Sequence, residues 1–315
     1  MRSEMVLEAL REKYEVSLAT PDEAPASGER FDVVHVYRLA ALPLAKPFLE
    51  AAGQRHLDLD DIESRTHKRI AALARGNSHD EIASWASAES RRFELLEIAT
   101  LRRFDRVYVC SEIDRAFLAG RCSSEVRVLP NVVRMPDPPS ARVRAAGEPF
   151  RFVFIGTMDY YPNFDGYQWF CSQVLPVLRR IATADFIVEV AGPGSAGRLP
   201  SHECVHLAGE VPDVRPLYKR ADAAIVPLRA GGGTRIKILE AFSFGVPVIS
   251  TTIGAEGIEV GADRDILLAD SAEELALRCA DLISHPEIGA RLRLKALELV
   301  RQRYSPGVLR GAVGD

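Results

Sequence analysis

The stretch from Ile225 to Thr252 combines residue types at a spacing that suits a nucleoside diphosphate. An apolar run ends at Val226, three glycines follow, and a helical pattern runs from Thr234 to Phe244. Glycines let the backbone approach a ligand closely, and the amino end of a helix offers unpaired N–H groups to phosphate. The candidate diphosphate loop consists of Gly231, Gly232, Gly233 and Thr234.

Charged side chains in the following helical pattern extend this candidate site. Arg235 and Lys237 place two cations in the first turn, where positive charge is unfavourable to the helix itself, so an anionic ligand would explain them. Glu240 lies further along and could accept hydrogen bonds from two vicinal ribose hydroxyls. The alternative is a glycine-rich turn with surface charges, and triple glycine alone would be a weak signal.

The elements that must position these residues alternate between strands and helices. Apolar runs predict strands near residues 15–19, 32–36, 56–60, 106–110, 126–129, 151–155, 186–190, 205–207, 223–226, 246–250 and 266–268. The runs are apolar on both faces, as strands covered by helices on both sides must be. This order predicts α/β architecture with doubly wound parallel sheets.

Two domains are expected from the change of composition at RMPDPPSARVRAAGE, which is polar and contains three prolines. We place a first α/β domain at residues 1–133, a linker at 134–149, a second α/β domain at 150–300 and a tail at 301–315. The chain opens on a helical pattern near Ser3–Glu12, so the first strand of the first domain is expected to be absent. The tail, SPGVLRGAVGD, holds three glycines and predicts no long helix, so a C-terminal helix is expected to be missing.

Residues 62–103 depart from simple alternation, because they show helix formers and no strand pattern. They predict one long helix or two, interrupted near Gly76–Asn77. The segment is basic, with Arg65, Lys68, Arg69, Arg75, Arg91, Arg92, Arg102 and Arg103. These charges form either a solvated face or a surface that attracts anionic lipid or a phosphorylated acceptor.

Composition narrows the classes of function. The 315 residues carry a formal net charge of -4, which gives no reason to expect nucleic acid. The five cysteines have no metal-ligand spacing and are expected to be free thiols, and we expect no metal site and no cofactor. No apolar run is long enough to span a membrane, and the charged first residues do not form a signal peptide core. We therefore expect a cytoplasmic protein, with the inner face of the membrane as the alternative location.

The stretch GGGTRIKILEAFSFGVPVISTTIGAEG resembles the donor-binding segment of the retaining glycosyltransferase family 4, which has the GT-B architecture. The resemblance extends over FVFIGTMDYYPNFDGYQWF, VEVAGPG and LAGEVPDVRPLYKRADAAIVPLR, and more weakly over HLDLDDIES and VYVCSEIDR. It implies two doubly wound, Rossmann-like parallel-sheet domains facing across a cleft. The stretch is similar to that of bacterial members that build cell-surface polysaccharides.

Site residues follow from this resemblance position by position. Glu240 matches the second glutamate of the family's Glu–seven residues–Glu motif, which holds the donor ribose. The donor domain's loops would contribute base and phosphate contacts from Gly156, Thr157, Gly192, Gly209, Glu210 and Val211. Asn163 is either a donor contact or a helix N-cap, and Glu256 either faces the donor sugar or is only a turn residue.

The sequence also departs from the family pattern. The first glutamate of the motif would fall at Gly232, and the turn TMDYYPN lacks the Arg and Lys that many members use to neutralise the diphosphate, a task that Arg235 and Lys237 could take over. Where many members have a catalytic-side histidine, this chain has Asp60 with Asp61 beside it. These carboxylates are candidate catalytic residues, with a cap of the helix beginning at Ile62 as the alternative.

The resemblance implies transfer of a hexose from a UDP- or GDP-sugar to a glycan or lipid-linked acceptor, with retention. This reaction would need no metal, and peripheral membrane contact would be compatible with it. Two alternatives stay open: a catalytically impaired nucleotide-sugar-binding or partner protein of the same fold, and a nucleotide-sugar epimerase.

Overall fold

The computed structural model describes residues 2–19, 25–26, 28–136, 142, 144–145, 147–195, 199–200 and 202–313. The chain divides into two compact units. The first contains residues 1–132, 232–234 and 306–315, and the second contains residues 133–231 and 235–305. The predicted linker lies in part on residues 137–141, 143 and 146, outside the described residues.

Each unit is built on one parallel sheet. The first sheet has the order β1-β2-β3-β4, and the second has the order β10-β9-β8-β5-β6-β7. The strands are β1 Phe31–Tyr37, β2 Ala52–Asp58, β3 Arg106–Val109, β4 Glu125–Val128, β5 Phe150–Ile155, β6 Phe186–Ala191, β7 Val205–Gly209, β8 Ala223–Val226, β9 Val248–Ser250 and β10 Leu267–Leu268. All pairings are parallel.

Helices connect the strands in both units. They are α1 Arg2–Arg11, α2 Leu42–Glu50, α3 Glu63–Gly76, α4 Asp80–Leu101, α5 Glu112–Leu118, α6 Tyr161–Trp169, α7 Leu175–Ile181, α8 Arg215–Arg220, α9 Ile236–Ser243, α10 Thr252–Ala255, α11 Ala272–Ser284, α12 Pro286–Arg303 and α13 Pro306–Val313. A 3₁₀ turn at Leu39–Ala41 precedes α2, and a π-helical turn at Phe170–Val174 joins α6 to α7.

The core of the second unit shows why its strands are apolar on both faces. Along β5, Phe152 and Phe154 point into one buried cluster with residues of α7 and α11, whereas Val153 points into another with residues of α8, α9 and α12. A side chain alternates between faces along a strand, so both faces must be apolar when helices cover both. The predicted α/β architecture with parallel, Rossmann-like sheets is confirmed.

The helical segment of the first unit agrees with its sequence pattern. Helices α3 and α4 are separated at residues 77–79, next to the predicted interruption at Gly76–Asn77. In contrast, the strand predicted at residues 15–19 is wrong, since these residues are extended without sheet partners. Leu18 is 64% exposed there, so the apolar run has no buried face that pairing could complete.

The expectation that no C-terminal helix is present is also wrong. Helix α13 forms over Pro306–Val313, within the predicted tail, and packs on α1 in the first unit. Leu309 is buried there in a cluster with Met5, Val6 and Ala9. Proline suits the first helical position, and burial of an apolar face outweighs the low helix propensity of two glycines.

Candidate functional site

The carboxyl ends of β5 and β8 form the centre of the candidate site. β6 and β7 follow on one side of this pair, and β9 and β10 follow on the other, so the strand order reverses between β5 and β8. Open α/β sheets bind ligands beyond the carboxyl ends of strands at such a switch point. Helix α6 packs tightly here, because a Cβ on Gly166 would lie 2.7 Å from the carbonyl oxygen of Pro227.

Gly156, the first residue after β5, lies against the side chains of Asn163 and Lys237. A Cβ on Gly156 would lie 2.8 Å from Asn163 Cγ and 2.9 Å from Lys237 Nζ. Lys237 Nζ donates a 2.8 Å hydrogen bond to Asn163 Oδ1, and Asn163 Nδ2 donates a 2.9 Å hydrogen bond to the carbonyl of Thr157. Four predicted site residues therefore meet at one turn. Asn163 is not an N-cap, because α6 already begins at Tyr161.

Loss of solvation and the nearby Arg235 disfavour the positive charge of Lys237, whereas its contact with the face of an aromatic ring favours that charge. Its side chain crosses the ring of Phe154, with Nζ 5.7 Å from the ring centroid. Loss of solvation lowers the pKa of Lys237 to about 7, the charge of Arg235 adds to the shift, and Glu240 opposes it. The amine is thus held at the switch point in a state that gains or loses its proton near neutral pH.

The turns after β6 and β7 lie at the same edge of the sheet. Gly192 has φ 139°, and a Cβ there would overlap the carbonyl oxygen of Gly156. Gly192 N donates a 2.8 Å hydrogen bond to the carbonyl of Gly209, which has φ 74°. Glu210, which is exposed, and Val211, which is half-buried, follow directly. Glycine is required at positions 192 and 209 because the backbones meet closely or adopt a left-handed conformation.

Within the second unit, Gly231 begins the glycine loop after β8. Its φ is 124°, and a Cβ there would lie 2.7 Å from Arg235 Nη2 and 3.2 Å from Tyr160 Oη. Arg235 is buried and stands at the N-cap position of α9. The side chains of Tyr160 and Arg235 thus converge on the loop, and a larger residue than glycine would displace them.

Gly232, Gly233 and Thr234 group with the first unit. A Cβ on Gly232 would overlap Thr66 Oγ1 and Asp61 Oδ1. Asp61 Oδ2 accepts a 2.8 Å hydrogen bond from Thr66 Oγ1. This close approach leaves no space for the glutamate that the family motif has at position 232, so the departure from the motif has a steric reason.

Glu240 projects from α9 beside a tyrosine that the sequence analysis did not single out. Tyr218 Oη lies 3.1 Å from the carbonyl of Lys237 and 3.5 Å from Glu240 Oε2, and its ring stacks on Phe244. Burial raises the pKa of Glu240, and the hydrogen bond from Tyr218 and the charge of Lys237 oppose the rise. No motif marks Tyr218, because it reaches α9 from a separate helix, α8.

A second pair that sequence reasoning missed fixes the start of the loop after β8. Arg229 makes two hydrogen bonds to the carboxylate of Asp165 on α6, 2.9 and 2.6 Å long. Its guanidinium also lies over the ring of Trp169. The partners are 64 residues apart, so only the folded sheet brings them together.

Hydroxyl groups at the end of β9 and just after it make hydrogen bonds to the end of β8 and the residues that follow. Ser250 Oγ donates a 3.0 Å hydrogen bond to the carbonyl of Val226, and Thr251 Oγ1 donates to the carbonyl of Leu228. Glu256 follows the short helix α10 that begins here. The structure therefore places Glu256 three elements beyond β8, after α9, β9 and α10.

In the first unit, Asp60 follows β2 and is engaged by neighbouring cations. Its carboxylate accepts hydrogen bonds from Tyr37 Oη, at 3.0 Å, and from Arg38. Burial by itself would raise the pKa of Asp60, but the hydrogen bond from Arg38 and the charge of Arg2 outweigh it and lower the pKa. The cap interpretation of Asp60 and Asp61 is wrong, because the N-cap position of α3 is occupied by Ile62.

Beneath Asp60 lies a buried ionic network that the sequence did not reveal. Arg2 donates hydrogen bonds of 3.1 and 2.9 Å to Asp58, and others to the carbonyl of Leu129 and to Asn131. The sequence could not predict that Arg2 is buried, because a single arginine in a terminal helix belongs to no recognisable motif. Its position fixes the carboxyl ends of β2 and β4.

A cationic cavity of about 320 Å³ lies at the opposite, amino-terminal edge of the second sheet. Phe150 and Asp222, at the starts of β5 and β8, line it together with Arg142, Arg144, Lys219 and Arg293. Arg142 pairs with Asp222 at 3.2 Å and with Glu148 at 2.7 Å, so part of the charge is already neutralised. Among the described residues, no predicted site residue lines it, although Tyr218, which lines it, also contacts Glu240.

Two further findings concern the described part of the chain only. No cluster of three or more His, Cys, Asp or Glu side chains there has an arrangement that could hold a metal ion. No helix in those residues has the length and apolar character needed to cross a bilayer.

Comparison with known proteins adds a domain match and a set of similar structures. Residues 149–285 match the family model described as Glycosyl transferases group 1, so the second unit carries a domain of that kind. No curated protein matches the chain in sequence.

The similar structures establish the fold. Sucrose-phosphate synthase from Thermosynechococcus elongatus has a TM-score of 0.69 at 15% identity, over 90% of this chain and 72% of that one. TarM has a TM-score of 0.69 at 13% identity, over 90% of this chain and 54% of TarM. Anabaena HepE, determined in complex with UDP-glucose, has a TM-score of 0.66 at 15% identity, over 90% of this chain and 77% of HepE.

Proposed function

We propose that this chain is a glycosyltransferase that transfers a hexose from a UDP- or GDP-sugar to a glycan or lipid-linked acceptor. The observation that carries the proposal is the meeting of Gly156, Asn163 and Lys237 at the β5/β8 switch point, inside the domain that matches Glycosyl transferases group 1. A nucleoside diphosphate is the leaving group of such a transfer, and its developing charge must be stabilised.

The donor would bind along the carboxyl edge of the second sheet. Lys237 and Arg235 would face the diphosphate at the amino end of α9, and the carboxylate of Glu240 would accept hydrogen bonds from the ribose hydroxyls. The turns at Gly192 and Gly209–Val211 would receive the sugar and base ends. HepE binds UDP-glucose, which favours uridine as the first base to test.

The finer features of the proposal rest on the family resemblance. These are retention at the anomeric carbon, a place in cell-surface polysaccharide synthesis, and peripheral contact with the inner face of a membrane. An exposed apolar stripe on α4, with Trp85, Leu95 and Ile98, is compatible with such contact.

A second candidate is a nucleotide-sugar-binding protein that does not turn over. Two observations favour it: Gly232 leaves no space for the first motif glutamate, and Asp60 is already engaged by Tyr37 and Arg38. A donor site without a free acid–base group in the first unit would bind the nucleotide and leave the sugar in place.

Calorimetric titration with UDP and with GDP tests the donor site, and Glu240→Ala is its informative variant. We expect saturable binding of one nucleotide, weakened about tenfold or more by loss of the ribose contacts. Glu273→Ala, at an exposed position of α11, is the matched control and should bind as the parent chain does. If neither nucleotide binds the folded chain, the donor site is not where we place it.

An activity assay separates the two candidate functions. The chain is incubated with the sugar derivative of whichever nucleotide binds, and free sugar and transferred sugar are measured. A chain that binds UDP or GDP tightly and still shows no hydrolysis or transfer with crude glycan acceptors would favour the binding protein.

A further inference from the structure

The amine of Lys237 is enclosed in the second unit without a counter-ion. Nζ lies over the buried ring of Phe154 and makes one hydrogen bond, to the neutral amide oxygen of Asn163. Within the described residues, no carboxylate forms an ion pair with it. A charged amine in such a place is costly unless an anion joins it.

Groups from four elements lie around this amine or its helix. From the end of β5 come Gly156 and Phe154, and from α6 comes Asn163, none of which titrates. On α9 itself, Arg235 repels the charge of Lys237 and Glu240 attracts it. Tyr218 of α8 reaches only the carbonyl of Lys237 and the carboxylate of Glu240.

Helix α9 adds a second reason to expect an anion. Arg235 and Lys237 occupy its N-cap and first turn, and this turn holds no acidic residue. The amino end of a helix is already the positive end of its dipole, so two cations there weaken the helix in the absence of a ligand. A bound diphosphate would neutralise both the amine of Lys237 and the excess positive charge at the amino end of α9.

We propose that Lys237 takes up one proton when the diphosphate of the donor binds, and that Asn163 is the positioning residue that aims its amine at the turn after β5. In the free protein the neutral amine avoids carrying a poorly solvated charge beside Arg235. In the complex the ammonium donates to diphosphate oxygens and to Asn163 Oδ1. The inference rests on the proposed donor site and adds its coupling to pH.

This coupling fits the behaviour of the amine in the free protein, whose pKa is lowered to about 7, first by loss of solvation and then by Arg235. At pH 8 about a tenth of such amines are charged, and a bound diphosphate would charge nearly all of them. Binding should therefore weaken by up to about tenfold for each pH unit above 7.

Calorimetry at pH 8 in buffers of different ionisation enthalpy measures the coupled proton directly. The probe is UDP or GDP, whichever binds, because its terminal phosphate is already fully ionised at this pH. We expect uptake of about 0.9 proton per nucleotide by the parent chain. Lys237→Met should abolish the uptake and weaken binding, and its unchanged or higher melting temperature would show that it is folded.

Two further variants distinguish a proton-coupled amine from a merely structural one. Lys237→Arg carries a permanent charge, so it should bind with no proton uptake and with affinity independent of pH between 7 and 9. Asn163→Ala loses the acceptor for the charged amine, so the pH at which affinity begins to fall should move down. Lys295→Met, at an exposed lysine paired with Glu298, should retain the full uptake.

The outcomes separate this inference from the proposed function. Binding of neither nucleotide would reject the donor site itself. Binding without proton uptake, or uptake that persists in Lys237→Met, would overturn the role of Lys237 and leave the donor site standing.

Discussion

At the residue scale, the candidate site depends on positions where a side chain is excluded as much as on those where one is required. Gly156, Gly192 and Gly232 each lie where a Cβ would meet another group closely. The sequence marks such positions only as glycine-rich turns, because glycine looks the same whether it serves flexibility or close packing. The partners that make it necessary, such as Asn163 and Lys237 at Gly156, become visible only in the folded chain.

Replacement of Gly192 by alanine should destabilise the second unit. The new Cβ would overlap the carbonyl oxygen of Gly156, and φ 139° is strained for any L side chain. We expect a loss of about 2 kcal/mol or more in the free energy of unfolding, measured by chemical denaturation. Gly311→Ala is the control, since it lies in α13 with open space around it and should stabilise by about 0.5–1 kcal/mol. Equal effects of the two substitutions would contradict this packing.

The buried pair between Arg2 and Asp58 should matter far more than the exposed pair between Arg310 and Glu12. Arg2→Met leaves the Asp58 carboxylate buried without its partner, which costs about 3 kcal/mol or more. Arg310→Met breaks a 3.2 Å pair between half-exposed side chains and should change stability by less than about 1 kcal/mol. Urea denaturation curves of the two variants compare them, and a mild effect at Arg2 would argue against the buried network.

At the element scale, long periodic segments could be predicted and short terminal ones could not. The two helices between residues 62 and 103 follow from composition and a glycine break, because their length leaves little ambiguity. Helix α13 was not predicted, since its two glycines lower its intrinsic propensity and its stability comes from packing on α1. The strand expected at residues 15–19 failed for the converse reason, as a short apolar run without a neighbouring strand does not form one.

Helix α13 should therefore depend on Leu309. This side chain is 1% exposed in the cluster with Met5, Val6 and Ala9, so Leu309→Ala should cost about 2–4 kcal/mol. Leu294→Ala, in α12, removes a side chain that is 68% exposed and should cost less than about 0.5 kcal/mol. Thermal melts report both values. Limited proteolysis gives a second measurement. Faster cleavage near the C-terminus in Leu309→Ala, but not in Leu294→Ala, would show that α13 no longer packs on α1.

At the scale of the whole molecule, the doubly wound architecture followed from strand–helix alternation, and the candidate donor site was proposed from one glycine-rich loop. The identity of the groups that surround the candidate site could not be predicted from the sequence. The contacts of Arg229 with Asp165 and of Tyr218 with Glu240 join separate elements. These contacts depend on the order of the strands in the sheet, which differs from their order along the chain. The order of the strands also sets a pair of histidines in the first unit, where the half-buried His35 on β1 lies opposite the buried His56 on β2.

These histidines should make the stability of the first unit depend on pH. Burial lowers the pKa of His56 to about 4, with His35 and Arg106 adding to the shift, and burial also lowers the pKa of His35. Because the unfolded chain binds these protons near pH 6.5 and the folded unit does not, stability is full above pH 6.5 and falls between pH 6.5 and 4. Urea unfolding across this range should show the decline. His56→Gln should flatten it by on the order of 1 kcal/mol, whereas His285→Gln, at an exposed histidine, should not.

The central claim is that the β5/β8 switch point of the second unit holds a nucleoside diphosphate, and a crystal structure of the chain with UDP or GDP bound tests it most directly. We predict diphosphate oxygens within hydrogen-bond distance of Lys237 Nζ, beside the turn at Gly156, with the ribose hydroxyls on Glu240. Electron density for the nucleotide at the opposite edge of the sheet, in the cavity lined by Lys219 and Arg293, would contradict the account.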